Sequence, residues 1–412
     1  KSRHALAAAM FVNDIISFDR NKDVDDNRRI PGGKTISRDE VLDMLPGLNP
    51  EGVTGGAVWH DAQTYNTERL PLGFLISAVE EGAVVANYVE AVRLNVKKGD
   101  VESVTVRDVL DGEEFDIRAR MVLSCGGKSA DAILESGGIR SDKPHFLPST
   151  AMNLILKRPL TGEIAAGLNQ RYEHQDSDGK VYKGSRVLFA APWRGVSIVG
   201  TRHLPLGNGP NAAVVTEDKI ENFLADINSA YPGAKLRRED VAWWHWGILP
   251  MLGEDPKSGD ANLMRHSKII DHADDGADNL ISIIGVKYTT GRRVASESVD
   301  LALKKLEFGK RESLSDKKPL PGGEFESFDK LIREIQEPPG DFSDAAAMHL
   351  ARNYGTEYKR LLAPAEEDPD LIYLLPGSDE AIAAEIVYAV REEMAVTLSD
   401  VLLRRTDIGT KG

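Results

Sequence analysis

Apolar residues recur along this chain with changing period, and each change of period marks an element. The opening residues, KSRHALAAAMFVNDIISF, read as the middle of a helix with no cap in front, so a segment upstream of Lys1 is expected. GGKTISRDEVLDMLPGL (32–48) is a turn and a short helix, with Ser37 as cap and Glu40 completing a capping-box pattern. Residues 55–94 predict a strand, a loop, an amphipathic helix and a second strand. VESVTVRDVLDGEEFDIRARMVLSCGG (101–127) alternates apolar and polar positions on both sides of LDGE, which predicts a hairpin, and ends in a buried strand running into a Gly-Gly turn.

From about 144 to 283 short strands dominate (STAMNLILKRPL, SRVLFAAPWRGVSIVGTRH, NLISIIG), interrupted by one helix at 216–232. This predicts a largely antiparallel sheet with helices on one face. After Thr289 a long helix runs through GRRVASESVDLALKKL, KKPLPGGEFESF (317–328) is a Pro/Gly-rich linker, and the remainder is helix-patterned with short breaks. The expected fold is α/β with an α+β part: 1–143 an α/β domain with an inserted β-meander, 144–283 an antiparallel-sheet domain, 284–316 a return to the first domain, and 317–412 a helical bundle.

Composition narrows the function classes. A length of 412 residues suits two or three domains, and 41% hydrophobic content is ordinary for a globular protein. No run approaches the roughly 20 apolar residues of a membrane span, and the start lacks the layout of a signal peptide. The chain is expected to be soluble and cytoplasmic, with peripheral contact at the inner face of a membrane left open. A net charge of −14 argues against nucleic acid as partner. Cys125 is the single cysteine, which excludes an internal disulfide and a Cys-based zinc site, and no metal centre is expected.

Several stretches carry candidate chemistry. Gly126 and Gly127 follow a strand directly, which lets backbone approach a phosphate or ribose closely; an ordinary tight turn is the alternative. The fingerprint Gly-x-Gly-x-x-Gly, which would settle a dinucleotide site, does not occur. In GVKYTTGRR, Lys287 and two threonines stand where a strand meets a helix start. Free N–H groups there would favour an anion or an electron-rich ring, unless Thr289 or Thr290 merely caps the helix. Arg194, Arg202 and His203 surround one apolar strand, with Arg202 and His203 expected to project into a cleft from its end. DVAWWHWGILPML concentrates three tryptophans around His245, a pattern of core packing in which His245 reads as a core or cleft-wall residue. In REEMAVTLSDVLLRRT a cap at Ser399 or Asp400 accounts for the pattern.

Taken together, MVLSCGGKSADAIL, RVLFAAPWRGVSIVGT, ISIIGVKYTTGRR and AAEIVYAVREEMAVTLSDVLLRRT resemble the FAD-dependent glycerol-3-phosphate dehydrogenases, flavin enzymes of the D-amino-acid-oxidase-like fold. The resemblance covers nearly the whole chain and implies that the family's N-terminal FAD-binding unit would precede Lys1. A chain without that unit is expected to hold FAD weakly.

The resemblance assigns Gly126 and Gly127 to the turn against FAD and Val89 to the strand whose backbone meets adenine. Gly285, Val286, Lys287, Tyr288 and Thr289 match the segment around the flavin's pyrimidine side, with Lys287 near the reacting centre. Leu249 stands where the family has a substrate-binding arginine, Gly291 replaces a tyrosine, and His203 replaces an aspartate. Arg202, His203 or His245 are the candidates for a displaced cationic site. The implied function is hydride transfer from a hydroxyl-bearing carbon of a small polyol phosphate or hydroxy acid to FAD, with a quinone or other electron acceptor as partner and a homodimer left open. The alternatives are a non-catalytic or regulatory protein of this fold and, less favoured because of the C-terminal helical domain, an amine or amino-acid oxidase.

Overall fold

Helix α1 (Arg3–Ile16) leads into an antiparallel ribbon of β1 (Lys34–Ile36) and β2 (Gly56–Val58), with α2 (Arg38–Met44) between them. The computed structural model describes residues 3–22, 24, 29–176, 178–207, 214–337 and 342–411. The capping box of α2 forms as expected: Ser37 accepts from the Glu40 amide, and Glu40 accepts from the Ser37 amide at 2.7 Å. Helix α3 (Arg69–Glu80) is followed by a meander of β3 (Val89–Lys97), β4 (Asp100–Asp108) and β5 (Glu114–Ile117), with the LDGE turn between its last two strands.

β6 (Val122–Ser124) then runs into the glycine turn and α4 (Ala130–Ser136). It pairs in parallel with β14 (Leu280–Ile284), which also carries β13 (Lys268–Asp271) on its other side in antiparallel sense. β14 is central, and Leu280, Ile281 and Ile284 have no exposed surface. β6 departs from the buried strand expected of MVLSCGG. With a neighbour on one side only, it leaves Leu123 38% exposed.

The second sheet is antiparallel and six-stranded, in the order β12 (Ala261–Leu263), β11 (Val241–Glu254), β7 (Leu147–Leu156), β10 (Val196–Pro205), β9 (Val181–Trp193) and β8 (Ala166–Gln175). Helix α5 (Glu217–Ala230), capped by Thr216, covers one face. Ile220, Phe223, Leu224 and Ile227 bury against Leu154, Leu156, Leu168, Leu188 and Val199. Each such side chain stabilises the layer by about 1.5–3 kcal/mol. The tryptophan cluster is less internal than its composition suggests: Trp244 packs on this core, but Trp243 and Trp246 are exposed at the strand surface.

After α6 (Gly291–Lys305), helices α7 (Phe328–Gln336), α8 (Asp344–Tyr354), α9 (Tyr358–Leu362) and α10 (Ala383–Glu392) enclose their own core around Leu331, Leu350, Leu361 and Tyr388. In the final segment the cap is Thr397, with Asp400 reciprocating from the first turn, in place of the Ser399 or Asp400 cap expected. The side chain three residues inside the turn reaches back to the cap amide, which Ser399 cannot do.

Candidate active site

β6 and β14 are parallel and in register, with Leu123 opposite Ile281 and Ser124 opposite Ser282. The turns that follow them, Gly126–Gly127 and Gly285–Lys287, therefore leave the sheet at the same edge, the carboxyl end where open α/β sheets bind ligands. A side-chain carbon added at Gly127, Gly285 or Gly291 would meet nothing within 4 Å, so backbone there borders open space. Gly127 also has φ +53, a left-handed conformation suited to glycine. Val286 turns inward and packs with Ala130, Ile284 and Ile248, which anchors the turn.

Lys287 is exposed and makes no ion pair among the described residues. Tyr288–Thr290 form a single 3₁₀ turn, and α6 begins at Gly291, one residue after the expected start. Thr290 donates its hydroxyl back to the Lys287 carbonyl at 3.1 Å and does not cap, so the first N–H groups of α6 keep no side-chain partner. Thr289 is exposed beside it. The Tyr288 hydroxyl donates to the Thr67 carbonyl, and burial together with the Glu68 charge pushes its pKa up.

The sheet face opposite α5 supplies a second wall. His245 on β11 pairs across with Asn153 on β7, whose Oδ1 accepts from Thr201 at 2.8 Å. The His245 Nε2 lies 3.0 Å from the Thr410 carbonyl, and Trp193 meets the ring edge-on at 5.7 Å. His203 is one row along; burial lowers its pKa against the opposing charge of Asp260, and its Nδ1 is buried with no partner among the described residues.

Arg202 does not share that face. Neighbouring strand residues point to opposite sides, and Arg202 lies on the α5 side, bonded to Asp260 at 2.6 Å and near Asp226 at 3.4 Å. With Arg186 also on Asp260 at 2.8 Å, two guanidiniums meet two carboxylates, so the cavity of about 370 Å³ beside Arg202 offers no uncompensated cation from this cluster.

Arg194 is buried between the sheet and the C-terminal helices, paired with Asp407 and with Glu380 at 2.9 Å. Burial would raise both acids. Arg194, His349 and Lys411 hold Glu380 below its ordinary value, whereas the more deeply buried Asp407 stays raised despite Thr410 and Arg194.

A family model described as FAD dependent oxidoreductase matches residues 13–286, and one described as the C-terminal domain of alpha-glycerophosphate oxidase matches 313–411. The chain belongs to the FAD-dependent oxidoreductase family. Within that family, a glycerol-3-phosphate dehydrogenase of Synechocystis sp. is 29% identical over 98% of this chain and 71% of its own length. The mitochondrial glycerol-3-phosphate dehydrogenase of Mus musculus is 30% identical over 90% of this chain, which spans 50% of that relative. The Bacillus halodurans glycerol-3-phosphate dehydrogenase, solved with FAD, shares the fold with a TM-score of 0.69 at 24% identity, covering 90% of this chain and 70% of that one.

For an FAD-dependent oxidoreductase, the structure gathers Gly126, Gly127, Gly285, Val286, Lys287, Tyr288 and Thr289 at one sheet edge. Val89 opens β3, and the bonds of its neighbours run to the C-terminal segment: Asn87 to the Met394 carbonyl at 2.7 Å, Tyr88 to Asp400 at 2.7 Å. Leu249, half-buried, lies on the face of β11 that carries His245, with its carbonyl accepting from Ser149. Sequence reading missed Tyr65, Thr67, Asp407 and Thr410. Three of these act through backbone carbonyls, for which residue type is no signal. Among the described residues, no helix is long and apolar enough to cross a membrane, and no group of three His, Cys, Asp or Glu could hold a metal.

Proposed function

We propose that this chain oxidises a hydroxyl-bearing carbon of a small polyol phosphate or hydroxy acid with FAD as oxidant, electrons then passing to a quinone or another acceptor. The observation that carries the reading is the pair of glycine turns at the carboxyl ends of β6 and β14, open to space and flanked by the unpaired Lys287. These residues suit FAD: glycines permit close backbone approach, and the uncapped start of α6 supplies N–H donors. When bound, FAD supplies a two-electron acceptor that takes hydride from carbon. Lys287 and the positive end of α6 favour the negative charge that then develops. The similarity to glycerol-3-phosphate dehydrogenases supports glycerol 3-phosphate as the first substrate to try.

Leu249 favours a second reading, because an apolar side chain cannot replace charge-assisted grip on an acidic group. The visible spectrum of the purified protein, taken before and after anaerobic addition of glycerol 3-phosphate, separates the two. Bleaching of an oxidised-flavin band is expected. A flavin band that persists moves the search to other hydroxy compounds, and absence of flavin favours a non-catalytic protein.

A further inference from the structure

We infer that His245 accepts the hydroxyl proton of the substrate, in a tautomer imposed by the backbone carbonyl of Thr410; this rests on the reading of the site as one that oxidises a hydroxyl carbon. A carbonyl oxygen only accepts hydrogen bonds, so the 3.0 Å contact puts the hydrogen on Nε2. With Nε2–H engaged, the ring keeps the lone pair of Nδ1, which makes no hydrogen bond among the described residues. A histidine held only for packing would not need one nitrogen fixed and the other left free.

Both ends of the contact are rigid. Trp193 stands edge-on to the imidazole, and its Nε1–H donates to the Tyr65 carbonyl at 3.2 Å. Thr410 bonds through its hydroxyl to the Asp407 carbonyl at 2.8 Å and to the Asp407 carboxylate, which is paired with Arg194. The Asp407 carboxylate is close enough to interact electrostatically with His245. The charged groups around the ring are thus Asp407, Arg194 and, beyond Asp407, Glu68.

Open space borders the strand two residues beyond His245. Gly247 follows His245 on the same face of β11, and a side-chain carbon there would meet nothing within 4 Å. Its partner across β7 is Ala151, and beyond that lies His203 with its unpartnered Nδ1. Two small residues floor a notch with a histidine at each end. The notch belongs to the same cleft as the flavin turns: Tyr65 holds Trp193 and Thr67 holds Tyr288, two residues apart in one segment.

The step removes two electrons and two hydrogens from the CH–OH carbon. The hydroxyl proton goes to Nδ1; FAD, when bound, would supply the two-electron oxidant that accepts the hydrogen leaving with its electron pair, so that a carbonyl group and an imidazolium that solvent later deprotonates would remain.

The test uses the full chain loaded with FAD. His245→Gln keeps an amide donor within reach of Thr410 but has no base; flavin reduction by glycerol 3-phosphate should slow about 10²–10⁴-fold with the unfolding midpoint unchanged. His245→Ala should recover part of that rate when imidazole is added. Independently of turnover, ¹⁵N NMR of the imidazole should show Nε2–H and bare Nδ1 in the wild type. An Nδ1–H tautomer, or His245→Gln reducing flavin at the wild-type rate, overturns the inference alone. A wild type that holds no flavin, or whose flavin no hydroxy compound bleaches, overturns the functional reading and the proton role together.

Discussion

At the carboxyl ends of β6 and β14, Gly127, Gly285 and Gly291 border open space and Lys287 has no carboxylate partner among the described residues. On the C-terminal side, Arg194, Glu380, Asp407, His349 and Glu385 are enclosed and bonded to one another, with His349 and Glu385 at 0% exposure and 2.9 Å apart. The same charged residue types do opposite things in the two regions. Where groups are left unsatisfied, a ligand has something to complete. Where they are paired and dry, they hold two layers in one relative position at little net gain in stability, because desolvation offsets their attraction.

Substitutions at the two regions should therefore separate cofactor loss from fold loss. The largest effect is expected at Gly285→Val: a first side-chain carbon there meets nothing within 4 Å, so stability should stay within about 0.5 kcal/mol, yet flavin absorbance should vanish from the purified protein. Retained stoichiometric flavin would show that the turn is not the cofactor's cradle. Arg194→Met should do the reverse, leaving the Asp407 carboxylate, 2% exposed, without its cation. Breaking a buried pair in this way costs about 3–5 kcal/mol, read as a lower urea midpoint at unchanged slope. The smallest effect concerns pH. Burial opposes the charge on Asp400, but Tyr88 and the amides of Val396 and Thr397 outweigh it and hold its pKa down to about 2. Its folded value lies below the ordinary 3.8, so the unfolded chain takes up the proton first. The stability it contributes is complete above 3.8 and is lost as pH falls toward 2. In Asp400→Asn the thermal midpoint should be flatter over that window.

What was legible in the sequence was local. The Ser37–Glu40 capping box, the LDGE hairpin and the helix expected at 216–232 each depend on residues a few positions apart, and each formed. β8 was not anticipated, since AGLNQRYEHQ buries only alternate side chains and fills the rest with polar groups at the sheet edge. Arg202 and His203 seemed to act together because they are adjacent, but adjacency in a strand sends them to different faces. Arg194 was noticed as a charge near a strand, with nothing to say that its partners would come from 380 and 407. Gly285 and Lys287, by contrast, combined a strand pattern with residue types that a plain turn does not need.

The bond from His245 to Thr410 closes a loop of 165 residues. Contacts of such separation form late in folding, after local structure has reduced the entropy of closing them. They are also exposed to partial opening, since peripheral units separate at a lower free energy than the whole molecule. If the C-terminal helices detach while β6 and β14 stay paired, the glycine turns persist and the imidazole loses its orientation. The chain would then pass through a form that can retain its cofactor but has no oriented base, so the rate of proton transfer would report on docking of the C-terminal helices before any global unfolding signal changes.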